Sequence, residues 1–308
     1  MNIQQLEYIV AVDKLHHFAK AAEQCRITQP TLSAMIQKLE DELGIKIFDR
    51  SVQPVAATPS GKKVIEQAKK VLFEVSRISD IVAEEKQSVK GTFYLAVLPT
   101  IAPYLLPRFF HQLTQERLDL DIRVLEMKSA QSLMALQRGE IDAAILANQP
   151  IEPLLQGDTL YYEQFFAYVS RNEGIFKKDL IRTADIDGER LWLLDEGHCF
   201  RDQLMRFCQM EKVKVRQSTY RLGSMETFMR MVESGNGITF IPELAMLQLN
   251  KEQQELVRPF AIPKPTREIT FITRKDFIRN SIASIIKKAI KDSVPSEMLS
   301  LRPGLKIV

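Results

Sequence analysis

Cysteine is scarce in this chain, with three residues in 308. An odd and sparse set argues against a disulfide scaffold. Long apolar runs are missing too: no stretch approaches the roughly 18 uninterrupted residues that a membrane helix needs. The first residues, "MNIQQLEYIVAVDKLHH", lack the basic start and unbroken apolar run of a secretory leader. A cytoplasmic protein with no membrane partner is therefore expected, in a compartment where disulfides are transient or sensing. No phosphate-binding loop, dinucleotide fingerprint, HExxH or nucleophile elbow occurs, so the chain is read as not an enzyme, with no cofactor and no metal. An excess of one charge is also lacking. The net charge is +3, and residues 1–62 hold seven Lys/Arg against seven Asp/Glu. Any claim that this region meets nucleic acid must rest on pattern instead.

Pattern is present. A helix is expected from Ile3 to about Lys14, with Leu6, Ile9, Val10 and Val12 inward, and a shorter one in "FAKAAEQC". After the break "RITQP", Thr28 or Gln29 can cap a third helix with Pro30 in its first turn. Leu32, Ile36, Leu39 and Leu43 fall at i, i+4, i+7 and i+11, one helical face. The opposite side carries Pro30, Ser33, Ala34, Gln37 and Lys38, short or amide-bearing groups able to approach base edges and phosphates. Gly44 supplies the stop. Helix, tight break and a second helix with a small polar face is the helix-turn-helix arrangement; a plain three-helix bundle with a solvated face is the alternative.

"IKIFDRSVQPVAATPSGKK" then suggests two short strands around a turn, a wing, with Arg50 and Gln53 placed to reach phosphates. Thr58-Pro59 opens a long helix in which Val64, Ala68, Val71, Val75, Ile78 and Val82 repeat at alternating spacings of four and three. Such a seam favours pairing with a second helix. A dimer that reads two half-sites related by a two-fold axis of double-stranded DNA is the expectation.

With "TQPTLSAMIQKLEDELGIKIFDR" at its centre, this order of helix-turn-helix, wing and dimerising helix resembles the LysR-type transcriptional regulators. The resemblance implies DNA contacts at Gln29, Pro30, Thr31, Ser33, Gln37, Lys38, Arg50 and Gln53, a homodimer to homotetramer, and RNA polymerase as a partner.

Past the polar hinge "KQSVKG", strands alternate with helices: "TFYLAVLP", "LDIRVLEM", "DAAILA", "EQFFAYVS", "ERLWLLD", "TYRLG", "GITFIP" and "EITFIT" read as strands. This pattern predicts parallel sheets covered by helices. The expected class is α/β with an all-α winged helix-turn-helix N-terminal domain. Its domains are 1–58 for DNA binding, 59–90 for the linker helix and hinge, and 91–308 for regulation. The last resembles a LysR-type effector domain of two Rossmann-like lobes, similar to periplasmic binding proteins, roughly 91–162 with 268–300, and 163–267. Thr100, Ser129 and Ser224 each follow a strand at a helix start, where a hydroxyl caps the helix, contacts a ligand, or both.

"DEGHCFRDQLMRFC" holds Cys199 and Cys208. Thiols of this kind are core filler, part of a metal site, or redox partners. A nine-residue spacing does not suit a zinc knuckle. A thiol just ahead of a helix, beside His198 and Arg201, favours its thiolate and hence oxidation. If 199–208 is helical, the two Cα atoms lie about 13 Å apart, whereas a disulfide needs about 7 Å or less. Bond formation then demands refolding.

"GHCFRDQLMRFC" with "METFMRMVESGNGITFIPE" is similar to the hydrogen-peroxide-sensing members of the LysR-type family, activators of oxidative-stress genes. The resemblance implies that Cys199 reacts with peroxide and Cys208 resolves the product to a disulfide. It also implies a peroxide pocket of Thr100, Ser129, His198 and Arg267. Cys25 has no counterpart role and is read as a buried small residue. Two other readings stay open: a regulator of the same family answering a small effector in the interlobe cleft, and a thiol peroxidase.

Overall fold

The computed structural model describes residues 1–86, 89–148, 152–194, 199–208 and 224–308. Met1–Lys86 form one compact unit and the chain beyond contains the other.

In the first unit α1 (Ile3–Leu15), α2 (Phe18–Gln24) and α3 (Gln29–Leu43) enclose a small core that includes Leu6, Ile9, Val12, Leu32, Ile36 and Leu39. A capping box starts α1: the Gln5 amide donates to Asn2 Oδ1 and the Asn2 amide to Gln5 Oε1, each at 2.9 Å. Thr28 caps α3, and Gly44 ends it in the left-handed region at φ 66°. β1 (Phe48–Asp49) and β2 (Ala56–Ala57) pair antiparallel as a short wing. α4 (Pro59–Glu85) begins at a Thr58 cap. Its first turns seat Ile65 and Ala68 in the core, while Val71, Ile78 and Val82 farther along are exposed, Ile78 at 66%. Val64 and Val75 are half-buried.

The second unit contains β3 (Gly91–Val97), α5 (Ala102–Glu116), β4 (Leu120–Glu126), α6 (Ser129–Arg138), β5 (Ala143–Ala147) and β6 (Leu155–Val169). Then come α7 (Cys199–Phe207), α8 (Met225–Glu233), β7 (Ile238–Pro242), α9 (Glu243–Met246), α10 (Lys251–Gln254), β8 (Val257–Pro259), β9 (Lys264–Arg274), α11 (Asn280–Ser293) and β10 (Leu305–Ile307). The strand order is β4-β3-β5-β9-β6-β7, with β10 beside β9 and β8 beside β6.

Among the strands of the described residues, β4-β3-β5 and the β10–β9 pair run parallel; β5–β9, β6–β9, β6–β7 and β6–β8 are antiparallel. The expectation of parallel sheets is corrected on this point. Parallel neighbours need a crossover between them, whereas β6 and β9 are long strands that carry the chain out of the first half and back. The lobe boundary expected at 162/163 falls inside β6. In "ERLWLLD" the described residues, through Leu194, form no strand: a 3-10 turn covers Gly188–Arg190 and a lone bridge joins Leu191 to Ile238. Trp192 follows, its indole Nε1 donating to the Asn236 carbonyl at 3.0 Å and its ring stacked near Phe228. "TYRLG" lies outside the described residues.

Candidate functional site

Two parallel neighbours, β3 and β4, end at the candidate hydroxyls. Thr100 precedes α5, yet it does not cap that helix, whose N-cap is Ile101 without a side-chain bond. Thr100 is buried, and its Oγ1 accepts from Arg267 Nη1 at 3.0 Å while its carbonyl accepts from Nη2 at 3.0 Å. A hydroxyl has one proton and two lone pairs, so this bond leaves the Thr100 O–H available as a donor. Ser129 opens α6, and its buried Oγ has no hydrogen-bond partner among the described residues. An orphan buried hydroxyl calls for a ligand or a water. Ser224, by contrast, caps α8, accepting from the Thr227 amide at 3.1 Å.

Arg267 is completely buried. It sits directly across the β6–β9 ladder from Glu163, whose Oε2 accepts from its Nε at 2.8 Å and lies 2.7 Å from its Nη2. Glu163 Oε1 accepts from the Leu244 amide at 3.0 Å. Burial pushes the Glu163 carboxyl up, and Arg267 and the Leu244 amide oppose that rise. The guanidinium is covered by two rings, Phe165 at 5.6 Å and Phe200 at 5.5 Å, which meet each other edge-on at 5.0 Å. Structure therefore joins Thr100 and Arg267, and adds Glu163, Phe165 and Phe200, to which sequence reasoning gave no role.

Phe200 is the second residue of α7, the helix that Cys199 opens. Cys208 comes one residue after its last turn, its amide donating to the Leu204 carbonyl at 2.9 Å. It is a free, buried thiol, and desolvation pushes it up to about 12. Nine helical residues set the two Cα atoms about 13 Å apart. Between them Gln203 is buried, with its Oε1 unpartnered among the described residues. His198 lies outside the described residues. Cys25 is half-buried rather than buried, at the end of α2, because a helix terminus leaves one side of the residue open.

On the DNA-reading candidate, Gln29, Pro30, Thr31 and Lys38 are exposed on α3 and Ser33 and Gln37 are half-buried. Thr31 Oγ1 is 2.8 Å from Thr28 Oγ1, and Gln37 Nε2 donates to Asp41 at 2.6 Å. Gln53 is exposed in the wing. Arg50 folds back on α3: it donates to Ser33 Oγ at 3.1 Å, approaches Glu40 at 3.6 Å and lies over the Phe18 ring at 5.0 Å. Glu40 is buried and receives the Ile47 and Phe48 amides at 2.7 and 3.1 Å. It pins the wing to α3. Among the described residues no group of His, Cys, Asp and Glu could hold a metal ion, and no helix is long and apolar enough to cross a membrane.

Two family models match: the bacterial regulatory helix-turn-helix protein of the lysR family over residues 3–62, and the LysR substrate binding domain over 86–291. A relative from Haemophilus influenzae named hydrogen peroxide-inducible genes activator is 33% identical over 99% of this chain and 100% of its own. The Escherichia coli DNA-binding transcriptional dual regulator OxyR is 34% identical over 89% of this chain and 90% of its own. Among solved structures, full-length OxyR carrying a substitution, from Pseudomonas aeruginosa, superposes with a TM-score of 0.77 at 32% identity, covering 96% of this chain and 99% of that one. OxyR from Porphyromonas gingivalis is 50% identical, with a TM-score of 0.66, over 71% of this chain and 99% of that one.

Proposed function

The chain belongs to the LysR family of bacterial helix-turn-helix regulators, and from that premise we propose that it senses hydrogen peroxide and activates oxidative-stress genes. The Cys199 thiolate attacks one peroxide oxygen; the O–O bond breaks, hydroxide leaves and takes up a proton, and Cys199 becomes a sulfenic acid. The Cys208 thiolate then attacks that sulfur, the S–O bond breaks, a second water leaves, and a disulfide remains. Two thiols have lost two electrons and one peroxide has become two waters.

Peroxide is held by Thr100, Ser129, His198 and Arg267. The Thr100 proton is free to donate because Arg267 occupies one of its lone pairs, and the Ser129 hydroxyl has no partner among the described residues. One observation carries the reading: α7 separates the two cysteines by its whole length over a buried Arg267–Thr100 pair. A bond that needs Cα atoms within about 7 Å forms only when that helix unwinds, so the chemistry is converted into a change of shape.

Refolding of 199–208 alters the contacts between regulatory domains in a homodimer or homotetramer, and with them the spacing of paired α3 helices on two-fold related half-sites of double-stranded DNA. Gln29, Pro30, Thr31, Ser33, Gln37, Lys38 and the wing residues Arg50 and Gln53 make the contacts, and RNA polymerase is the downstream partner in the cytoplasm. The protein acts as a regulator without turnover, and without cofactor or metal. The test is stoichiometric peroxide on the reduced protein, with disulfide mapping by mass spectrometry and DNA footprinting. A 199–208 linkage with an altered footprint is expected. Absence of the linkage, or an unchanged footprint once it has formed, overturns the reading. Many turnovers with a reductant would make the protein a peroxidase instead.

A further inference from the structure

Four of the five N–H groups of the Arg267 guanidinium are already held by two residues. One edge grips Thr100 through its hydroxyl and carbonyl, and another meets Glu163. The touching rings of Phe165 and Phe200 both lie to one side of it. Of these partners only Glu163 supplies charge, and it stands opposite Arg267 in the ladder, with its second oxygen fixed by the Leu244 amide. Other charged and phenolic groups nearby are committed elsewhere or neutral. Glu243 receives the Gln164 amide at 3.1 Å and Arg302 at 2.6 Å. The Tyr104 hydroxyl donates to Glu226 at 2.7 Å, and the Tyr161 phenol is buried, with burial favouring its protonated form.

We propose that Glu163 is a positioning residue for the thiol reaction: its carboxylate sets the Arg267 guanidinium so that Thr100 turns its proton outward and Phe200 stays docked at the start of the redox helix. This rests on the reading of Cys199 as the peroxide-reactive thiol. A buried guanidinium without its carboxylate must turn to find another acceptor, and the Thr100 oxygens and Phe200 turn with it. The same carboxylate cancels the arginine's charge. Glu163 therefore does two separable things: it orders the groups that hold peroxide, and it cancels the positive charge packed against Phe200, the residue after Cys199.

Glu163→Gln separates them, because the amide keeps the shape, loses the charge and turns an N–H toward Arg267. The full-length reduced protein, carrying Cys25→Ser and Cys208→Ser so that Cys199 is the one thiol left, is compared with and without Glu163→Gln. Two rates are followed by peptide mass spectrometry: oxidation of Cys199 by hydrogen peroxide, and its alkylation by iodoacetamide as a function of pH. In Glu163→Gln the peroxide rate falls roughly tenfold or more, since small misplacements cost that much. The alkylation midpoint moves down by about one pH unit, because an uncancelled cation favours thiolate, while the alkylation plateau holds.

An unchanged peroxide rate overturns the proposal, as does a peroxide rate and alkylation plateau that fall together, which marks general damage. If Glu163→Gln does not fold, Glu163→Asp decides. It keeps the charge and shortens the reach, so the alkylation midpoint stays in place and the peroxide rate falls several-fold; an unchanged rate there overturns the proposal. If Cys199 of the parent reacts with peroxide no faster than an ordinary cysteine, the peroxide reading itself fails and this inference falls with it, an outcome told apart by the parent protein alone.

Discussion

Phe207 meets Phe260 edge-on, ring centroids 5.5 Å apart, and Phe260 in turn stacks on Phe240 at 5.9 Å. The pair anchors the far end of α7, one residue before Cys208. Such contacts add roughly 0.5–1.5 kcal/mol beyond area burial, and that energy stabilises the helical form in which the cysteines stay apart. Phe207→Ala weakens the anchor. After peroxide treatment, the sulfenic acid trapped by dimedone should disappear several-fold faster than in the parent, as the disulfide closes sooner. An unaltered lifetime would mean that α7 is not held at this end.

Cys208 carries a pH signature of its own. Burial pushes its thiol up to about 12, above the ordinary value of 9.0. The contribution to stability is complete below about pH 9 and is lost as pH rises toward 12, because the unfolded thiol ionises first. A shift of this size corresponds to about 4 kcal/mol at most. In urea titrations of the reduced protein, Cys208→Ala should lose less stability than the parent between pH 9 and pH 11. Parallel curves would show that Cys208 ionises in the fold as freely as outside it.

Ser129 offers a separation of stability from reactivity. Its hydroxyl is buried without a partner among the described residues, so deleting it should be neutral or slightly stabilising. Ser129→Ala should therefore melt at or above the parent Tm while oxidising at Cys199 several-fold more slowly. A normal oxidation rate removes Ser129 from the peroxide pocket.

Glu40 lends itself to a test in the DNA-reading unit. Removing its carboxylate leaves the Ile47 and Phe48 amides without their acceptor, at roughly 1–3 kcal/mol. Glu40→Ala should weaken operator binding in fluorescence-free gel assays at least tenfold and leave Cys199 oxidation at the parent rate. Intact DNA affinity would show that the wing keeps its place without this residue.

Ile78, on the exposed stretch of α4, tests the pairing seam. In the proposed dimer an aspartate there faces its counterpart, so Ile78→Asp should halve the mass measured by sedimentation equilibrium. An unchanged mass moves the dimer contact off α4.

How far the chain could be read before its structure was known depended on distance along the chain. Thr28, Pro30, Gly44 and Thr58 act within one turn of their own position, and the apolar spacing of α3 needs four residues to declare itself. Glu40 lies beside that apolar arc, where a glutamate reads as solvated; its partners are the amides of a wing seven and eight residues on. Glu163 is 104 residues from Arg267, and nothing local marks either as half of a buried pair. Arg267 surfaced only through resemblance. Strand direction was misjudged for the same reason, since the β6–β9 ladder joins segments about a hundred residues apart, while alternation of strands and helices is a local pattern.

Trp192 is the chain's one tryptophan, and it hydrogen-bonds to Asn236 and stacks near Phe228 seven positions before Cys199. Excited near 295 nm, the protein emits from that one place, in the half that carries both thiols. Its emission is thus a site-specific optical signal already written into the native sequence, able to follow oxidation and reduction in real time with no label attached.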